Sequence, residues 1–313
     1  MGDVIAVTGA GGFLGRAVVA RAREENFPVR AILRGDPPEA WATDPGIEVI
    51  RADLRRELPP LDGAAAVIHA AARMSGDDAA QARDTVTPSA ALLQRAAQAG
   101  ARLVLISSIS VLGTRDLAPF ALVDEATPVE PHPDRRDAYT RAKLAQERDA
   151  CEISARYGAQ LRIVRPGAIL GPGRLWNAHM GIELGRLVLG PRHAGELPLC
   201  WLPHAAQILV LAATRPQAQT IEPIHALDDD RPDRARFLAA LGRRGLPLGW
   251  HGFDMAARAL APLGSRPPGL LRREVLRARL MPLRYANARA HALGFRAEAG
   301  FEAAMADARR ARA

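Results

Sequence analysis

The opening of this chain constrains its fold more than any other feature. An apolar run, Val4–Val7, ends in Thr8 and breaks into TGAGGFLG, with Gly9, Gly12 and Gly15 three apart, before Phe13–Arg23 takes up helix-compatible spacing. One glycine makes the tight turn, one lets backbone approach a diphosphate, and one lets the helix pack on the strand. The helix start, at Phe13 and Leu14, presents amide donors and a positive dipole end. A strand, loop and helix in this order predict the first βα turn of a dinucleotide-binding unit.

Further strands are expected at Val29–Leu33, Ile47–Ile50, Ala65–His69, Leu103–Ser107 and Leu161–Val164, separated by Ala-rich helices such as Val86–Ala99 and a helix over Tyr139–Tyr157. This alternation predicts an α/β fold, a Rossmann-type doubly wound parallel sheet. After Arg165 and Pro166 the texture changes to glycine- and proline-rich turns between shorter helices. We therefore expect a dinucleotide-binding domain over residues 1–165 and mainly a smaller C-terminal substrate-binding lobe over residues 166–313, with segments near 200–215 returning to the first domain. Amphipathic basic helices near Phe253–Leu263 and Leu270–Leu280 are expected to pack on that lobe, though such faces also suit a membrane surface or a partner helix.

The 313 residues, 48% hydrophobic, suffice for a sizeable core. No basic segment leads into an apolar leader at the N-terminus, and no long apolar run occurs, so neither export nor a membrane span is expected. Cys151 and Cys200 are too few for a disulfide framework or a zinc site, so no metal is expected and a cytoplasmic setting is. The net charge of +8 is dispersed and aromatic content is only 4%, which argues against nucleic acid and for an Arg-rich surface favouring an anionic small-molecule substrate. Of the 42 lysines and arginines, Lys143 is the only lysine. A chain that otherwise uses arginine keeps lysine where a compact ammonium is required.

The second strand ends in VRAILRG and offers Arg34 where an acid commonly meets the cofactor ribose. Arg34, with Arg16 nearby, suits a 2′-phosphate, so NADP(H) is favoured over NAD(H); a merely solvated arginine is the alternative. Asp53, with the amide of Leu54, is placed to meet adenine, or else to cap a turn. Ala70, Ala71 and Ala72 end the fourth strand with side chains small enough for a cofactor to lie against, or for tight helix packing.

Ser107 and Ser108 follow the fifth strand at the sheet's carboxyl edge, where ligands of open α/β sheets bind. Tyr139 and Lys143 in YTRAK lie four apart and share a helix face. The expected chemistry is hydride transfer at a carbinol or keto carbon, Tyr139 exchanging the proton, Ser108 bonding the substrate oxygen, and Lys143 lowering the phenol's pKa and holding the nicotinamide ribose.

Together TGAGGFLG, HAAA, LISSISVLG, YTRAK and RPGAILGPG resemble the extended short-chain dehydrogenase/reductases, the NAD-dependent epimerase/dehydratase group, over essentially the whole chain. The resemblance implies a Rossmann domain with a small substrate lobe, homodimers formed through helices, Ser108 rather than Ser107 as the catalytic serine, and Pro166 beside the cofactor. It implies action on a nucleotide sugar, as a 4-keto reductase or 4-epimerase, with Asn177 either reaching the substrate's diphosphate or capping a turn. Reduction of a small aldehyde, ketone, flavonoid-like or sterol-like compound is the alternative, and a non-catalytic nucleotide-sensing scaffold a third. Two positions depart from the group: Thr85 and Pro88 stand where Asn and Gly are usual, and Ala206 and Gln207 replace an acidic pair.

Overall fold

A computed structural model describes residues 4–177, 179–184, 187–192, 194–245, 248–260, 262 and 272–310. The chain begins β1 (Val4–Thr8), α1 (Phe13–Glu24), β2 (Val29–Leu33), β3 (Ile47–Arg51) and β4 (Ala64–His69). Next come α2 (Asp78–Gln81), a π-turn at Ala82–Val86, α3 (Thr87–Gln98), β5 (Arg102–Ile106), β6 (Leu122–Val123), α4 (Ala138–Tyr157) and β7 (Leu161–Pro166). The lobe adds short strands β8 (Ala168–Leu170), β9 (Ile182–Leu184), β10 (Leu187–Leu189), β11 (Pro191–Arg192) and β12 (Leu199–Trp201). Then follow α5 (Leu202–Thr214), β13 (Ile221–Ala226), α6 (Arg234–Ala240), β14 (Arg244–Gly245), β15 (Leu248–Gly249), α7 (Trp250–Leu260), α8 (Arg273–Leu280), β16 (Arg284–Tyr285), α9 (Ala288–Ala292) and α10 (Phe301–Ala308).

Seven strands form one parallel sheet in the order β13-β7-β5-β4-β1-β2-β3. Parallel strands buried on both faces read as near-continuous apolar runs, which is how VIAV, AAAVI and LVLI arise. Strand alternation sends Ile5 and Val7 to one face, against Val18 and Val19 of α1 and the apolar helix α5. Ala6, Val67 and Leu105 face the other way, against Leu92 and Leu93 of α3 and Ala150 of α4. Each such aliphatic side chain contributes roughly 1.5–3 kcal/mol relative to leaving it in water.

Strand β13 is not among those expected from the sequence, because Pro223 interrupts IEPIHA and a proline argues against a central strand. It lies at the sheet's edge beside β7, where a missing N–H is tolerated. The lobe packs on the core directly: Ile109, Val111 and Leu144 share a cluster with Trp250, Leu276 and Leu280 of α7 and α8. That packing is where the apolar faces of these two helices go; Leu263 and Leu270 lie outside the described residues. No helix among the described residues is long and apolar enough to cross a membrane.

Candidate active site

Because the sheet is parallel, the carboxyl ends of its strands gather on one edge, and the loops there build the site. Gly9 adopts φ +65°, and a Cβ on it would lie 2.8 Å from the Ala71 amide nitrogen. A Cβ on Gly15 would lie 2.2 Å from the Gly9 carbonyl oxygen, so α1 can seat against the turn only without a side chain there. Gly12 caps α1 with no side-chain hydrogen bond, so the first helical turn, which begins with Phe13 and Leu14, presents its positive dipole end at this edge, where an anion is favoured. Phe13 turns its ring toward the lobe, with the Arg174 guanidinium 4.5 Å above it.

Beside this loop opens a cleft of about 560 Å³, bounded by the ends of β2, β3 and β4 and by the π-turn. Gly9, Gly12, Arg34, Asp53, Leu54, Ala70, Ala71 and Ala72 all line it; Gly15 does not, being buried behind the turn. Arg34 is exposed and makes no side-chain hydrogen bond or ion pair with a described residue. Arg16, also on the cleft, donates from Nε to the Gly11 carbonyl at 2.9 Å. The Asp53 carboxylate caps its own turn, accepting from the Arg55 amide at 3.1 Å and from the Arg55 guanidinium, which holds it well below the usual carboxylate range. Asp53 thus caps its own turn while also lining the cleft. The glycine turn, the Ala-lined strand end and the exposed Arg34 fit a dinucleotide.

An arginine–aspartate cluster at the mouth of the cleft was not anticipated. Asp84 pairs with Arg73 at 2.7 Å, Arg83 at 2.8 Å and Arg55 at 3.6 Å, tying together the loops after β3 and β4 and the π-turn. Thr85, where the group usually has Asn, accepts from the Arg73 amide at 3.0 Å and so fixes the same loop. Pro88 lines the cleft beside it.

Ser108 follows β5 with extended backbone, and its Oγ accepts from the Ser110 amide at 3.2 Å. The buried Arg136 holds this segment by donating to the Ser110 and Leu112 carbonyls and pairing with Glu130 at 3.1 Å. Asp137 caps α4, accepting from the Thr140 amide at 3.0 Å, and so sets Tyr139 in the first helical turn. One turn on, the buried Lys143 donates from Nζ to the Ile106 carbonyl at 2.8 Å and lies 5.9 Å from the Tyr139 ring centroid. The electrostatics differ from expectation: burial raises the Tyr139 phenol's pKa, the nearby Ser108 hydroxyl lowers it in part, and Lys143 does not lower it. Burial pushes Lys143 itself down to about 8, with Glu147 opposing.

Pro166 ends β7 at the same edge. Asn177 stands apart: its Oδ1 accepts from the His179 amide at 3.0 Å, the turn-capping role. At the group's missing acidic pair, Ala206 is buried in α5 while Gln207 bonds Glu298 and the Arg296 amide. His204 adds a second tie, bridging Asp228 at 2.8 Å and the Glu298 amide at 2.8 Å.

Residues 5–188 match the model of the NAD dependent epimerase/dehydratase family. The chain belongs to that family. Ceramide reductase of Caulobacter vibrioides is 32% identical over 174 residues, 54% of this chain and 47% of that protein. Sterol demethylase protein B of Methylococcus capsulatus is 31% identical over 193 residues, 60% and 56% of the two chains. Cinnamoyl-CoA reductase 1 of Petunia hybrida is 26% identical over 185 residues, 55% and 56%. The chain spans about half the length of the curated relatives it matches. Among solved structures, MoeE5 in complex with UDP-glucuronic acid and NAD superposes with a TM-score of 0.68 at 20% identity, over 98% of this chain and 97% of that one. A short-chain dehydrogenase/reductase superfamily protein from Agrobacterium tumefaciens with bound NAD gives 0.70 at 20%, over 97% and 95%. These structures share their fold with the present chain.

Proposed function

We propose that this chain is an NADP(H)-dependent oxidoreductase that reduces the carbonyl of a small substrate. The observation that carries the reading is the grouping of Ser108, Tyr139 and Lys143 at the sheet's carboxyl edge, the edge on which the cleft also opens, though none of the three lines that cleft. The nicotinamide, when bound, supplies the hydride. Tyr139, protonated across the physiological range because burial raises its pKa, gives its proton to the carbonyl oxygen, which Ser108 holds by a hydrogen bond. Lys143 supplies positive charge beneath the phenol and an N–H for the ribose. Glycine-loop amides hold the diphosphate, and Arg34 pairs with the 2′-phosphate.

The small-carbonyl substrate is favoured over a nucleotide sugar by the sequence relatives. The sequence relatives are named as reductases of cinnamoyl-CoA and ceramide, whereas the structures holding UDP sugars are alike in fold alone.

Two experiments test this reading. Wild type and Tyr139→Phe are assayed with NADPH against a panel of aromatic and aliphatic aldehydes and ketones, coenzyme A thioesters and UDP-4-keto sugars. We expect turnover on the first groups and a loss of at least about a hundredfold in the variant with NADPH binding retained; undiminished turnover by Tyr139→Phe would sink the mechanism, and turnover confined to UDP sugars the substrate. In thermal-shift titrations, NADPH should stabilise wild type more than NADH, and Arg34→Ala should erase the difference. Equal shifts in wild type would remove the case for NADP(H).

A further inference from the structure

The layer between the sheet and helices α3 and α4 is apolar through most of its depth, where Val67 and Leu105 meet Leu92, Leu93 and Ala150. At the carboxyl edge it turns polar. Strands repeat a face every second residue, so His69 follows Val67 and Ser107 follows Leu105 on this same side. Helices repeat a face at three and four residues, so Ser89 precedes Leu92 and Leu93, and Gln146 stands between Lys143 and Ala150. All four polar residues are at most 2% exposed. Yet His69 Nε2, Ser107 Oγ, Ser89 Oγ and both amide atoms of Gln146 have no hydrogen-bonding partner in the protein.

Reorientation does not relieve His69, whose Nδ1 is bound to Thr8 Oγ1 at 2.7 Å. Its pKa is pushed down to about 3, by burial first and by the nearby Lys143 charge second, so the ring is neutral and offers Nε2 as donor or acceptor according to tautomer. Lys143 has three N–H donors and gives one to the Ile106 carbonyl. Five unpartnered buried polar atoms thus lie at the polar end of the same sheet–helix layer as the Lys143 ammonium, and buried polar groups left without protein partners are the places where ordered water is held.

We propose that this layer is an internal water site, in which ordered water joins Gln146, Ser107, Ser89 and His69 to an N–H of Lys143, with Gln146 as the residue that positions it. The inference deepens the reading of Lys143 as a catalytic group and rests on that reading for its functional meaning. Water accepting from the ammonium favours the charged form and offsets part of the desolvation that burial imposes. The other titratable groups packed about Lys143 are Tyr139 one turn back, His69 on β4, and Glu147 one turn on, which the Arg165 guanidinium of β7 holds at 2.7 Å.

Lys143 is the only lysine in the chain, so protein labelled with ¹³Cε-lysine gives one resonance whose pH titration reads this amine alone. Gln146→Met keeps the volume and removes the hydrogen bonds. Its Lys143 midpoint should fall below that of wild type by at least about 0.5 pH unit. An unmoved midpoint in the folded variant overturns the water site. Should Gln146→Met fail to fold, Ser107→Ala, on a different element, carries the same expectation and the same refutation. The titration needs no turnover, so it is independent of the Tyr139→Phe assay. A shifted midpoint with undiminished Tyr139→Phe activity would leave the water site standing without the proposed reaction.

Discussion

An ammonium buried beneath a phenol loses its hydration, and at neutral pH Lys143 retains its charge in spite of that loss. Its pKa is about 8 in the folded chain and near the ordinary lysine value, about 10.4, in the unfolded one. Between those values the unfolded state binds a proton that the native state does not, so native stability rises with pH there; below about 8 the penalty is fully present. Lys143→Met should therefore melt at a higher temperature than wild type at pH 7, lose turnover, and see its thermal advantage shrink as pH rises from about 8 toward 10.4. Melting curves across pH check this, and an advantage independent of pH would mean the amine's burial is without cost. Lys143 was legible in the sequence because it stands alone against a background of arginine. Arg55, Arg73 and Arg83 were not, since in a chain so rich in arginine nothing marks the three that converge on Asp84.

At the scale of elements, what could be read was what repeats locally. The glycine turn, the apolar strands and the four-residue spacing of Tyr139 and Lys143 are each written in one short segment. Helix α4 begins one residue earlier than expected because Asp137 supplies the cap. Strand β13 escaped notice because Pro223 obscures it. The polar layer under Lys143 was invisible for another reason: Ser89, Ser107 and Gln146 are ordinary residues in ordinary positions, and only the packing of α3, α4 and β5 brings them to one depth. The electrostatics of Tyr139 were likewise out of reach, because spacing gives the neighbour but not the burial that outweighs it.

Across the whole molecule the chain crosses back on itself. After the lobe segments β8 to β12 it returns to lay α5 over the sheet and to add β13 at its edge. Helix α5 is buried almost along its length, with Ile208, Leu209 and Val210 at the centre of the core. A fragment ending at residue 165 has the glycine loop and the catalytic trio but leaves that sheet face covered by α1 alone. We expect it to bind hydrophobic dyes and to lack a cooperative melt, whereas the full chain melts cooperatively; a fragment that melts sharply and binds NADPH would show the core to be self-sufficient without its returning helix.

Pro223 has one more consequence. A sheet's outermost strand is a template on which another chain can be laid, and proteins that expose one invite unlimited stacking. Here the β13 side is interrupted by a residue with no N–H to give, and the β3 side carries Glu48, bound to Arg30, and Arg51, bound to Asp36. Both flanks of the sheet thus carry features that disfavour strand-to-strand pairing with another chain, so the sheet edges are poor seeds for stacking.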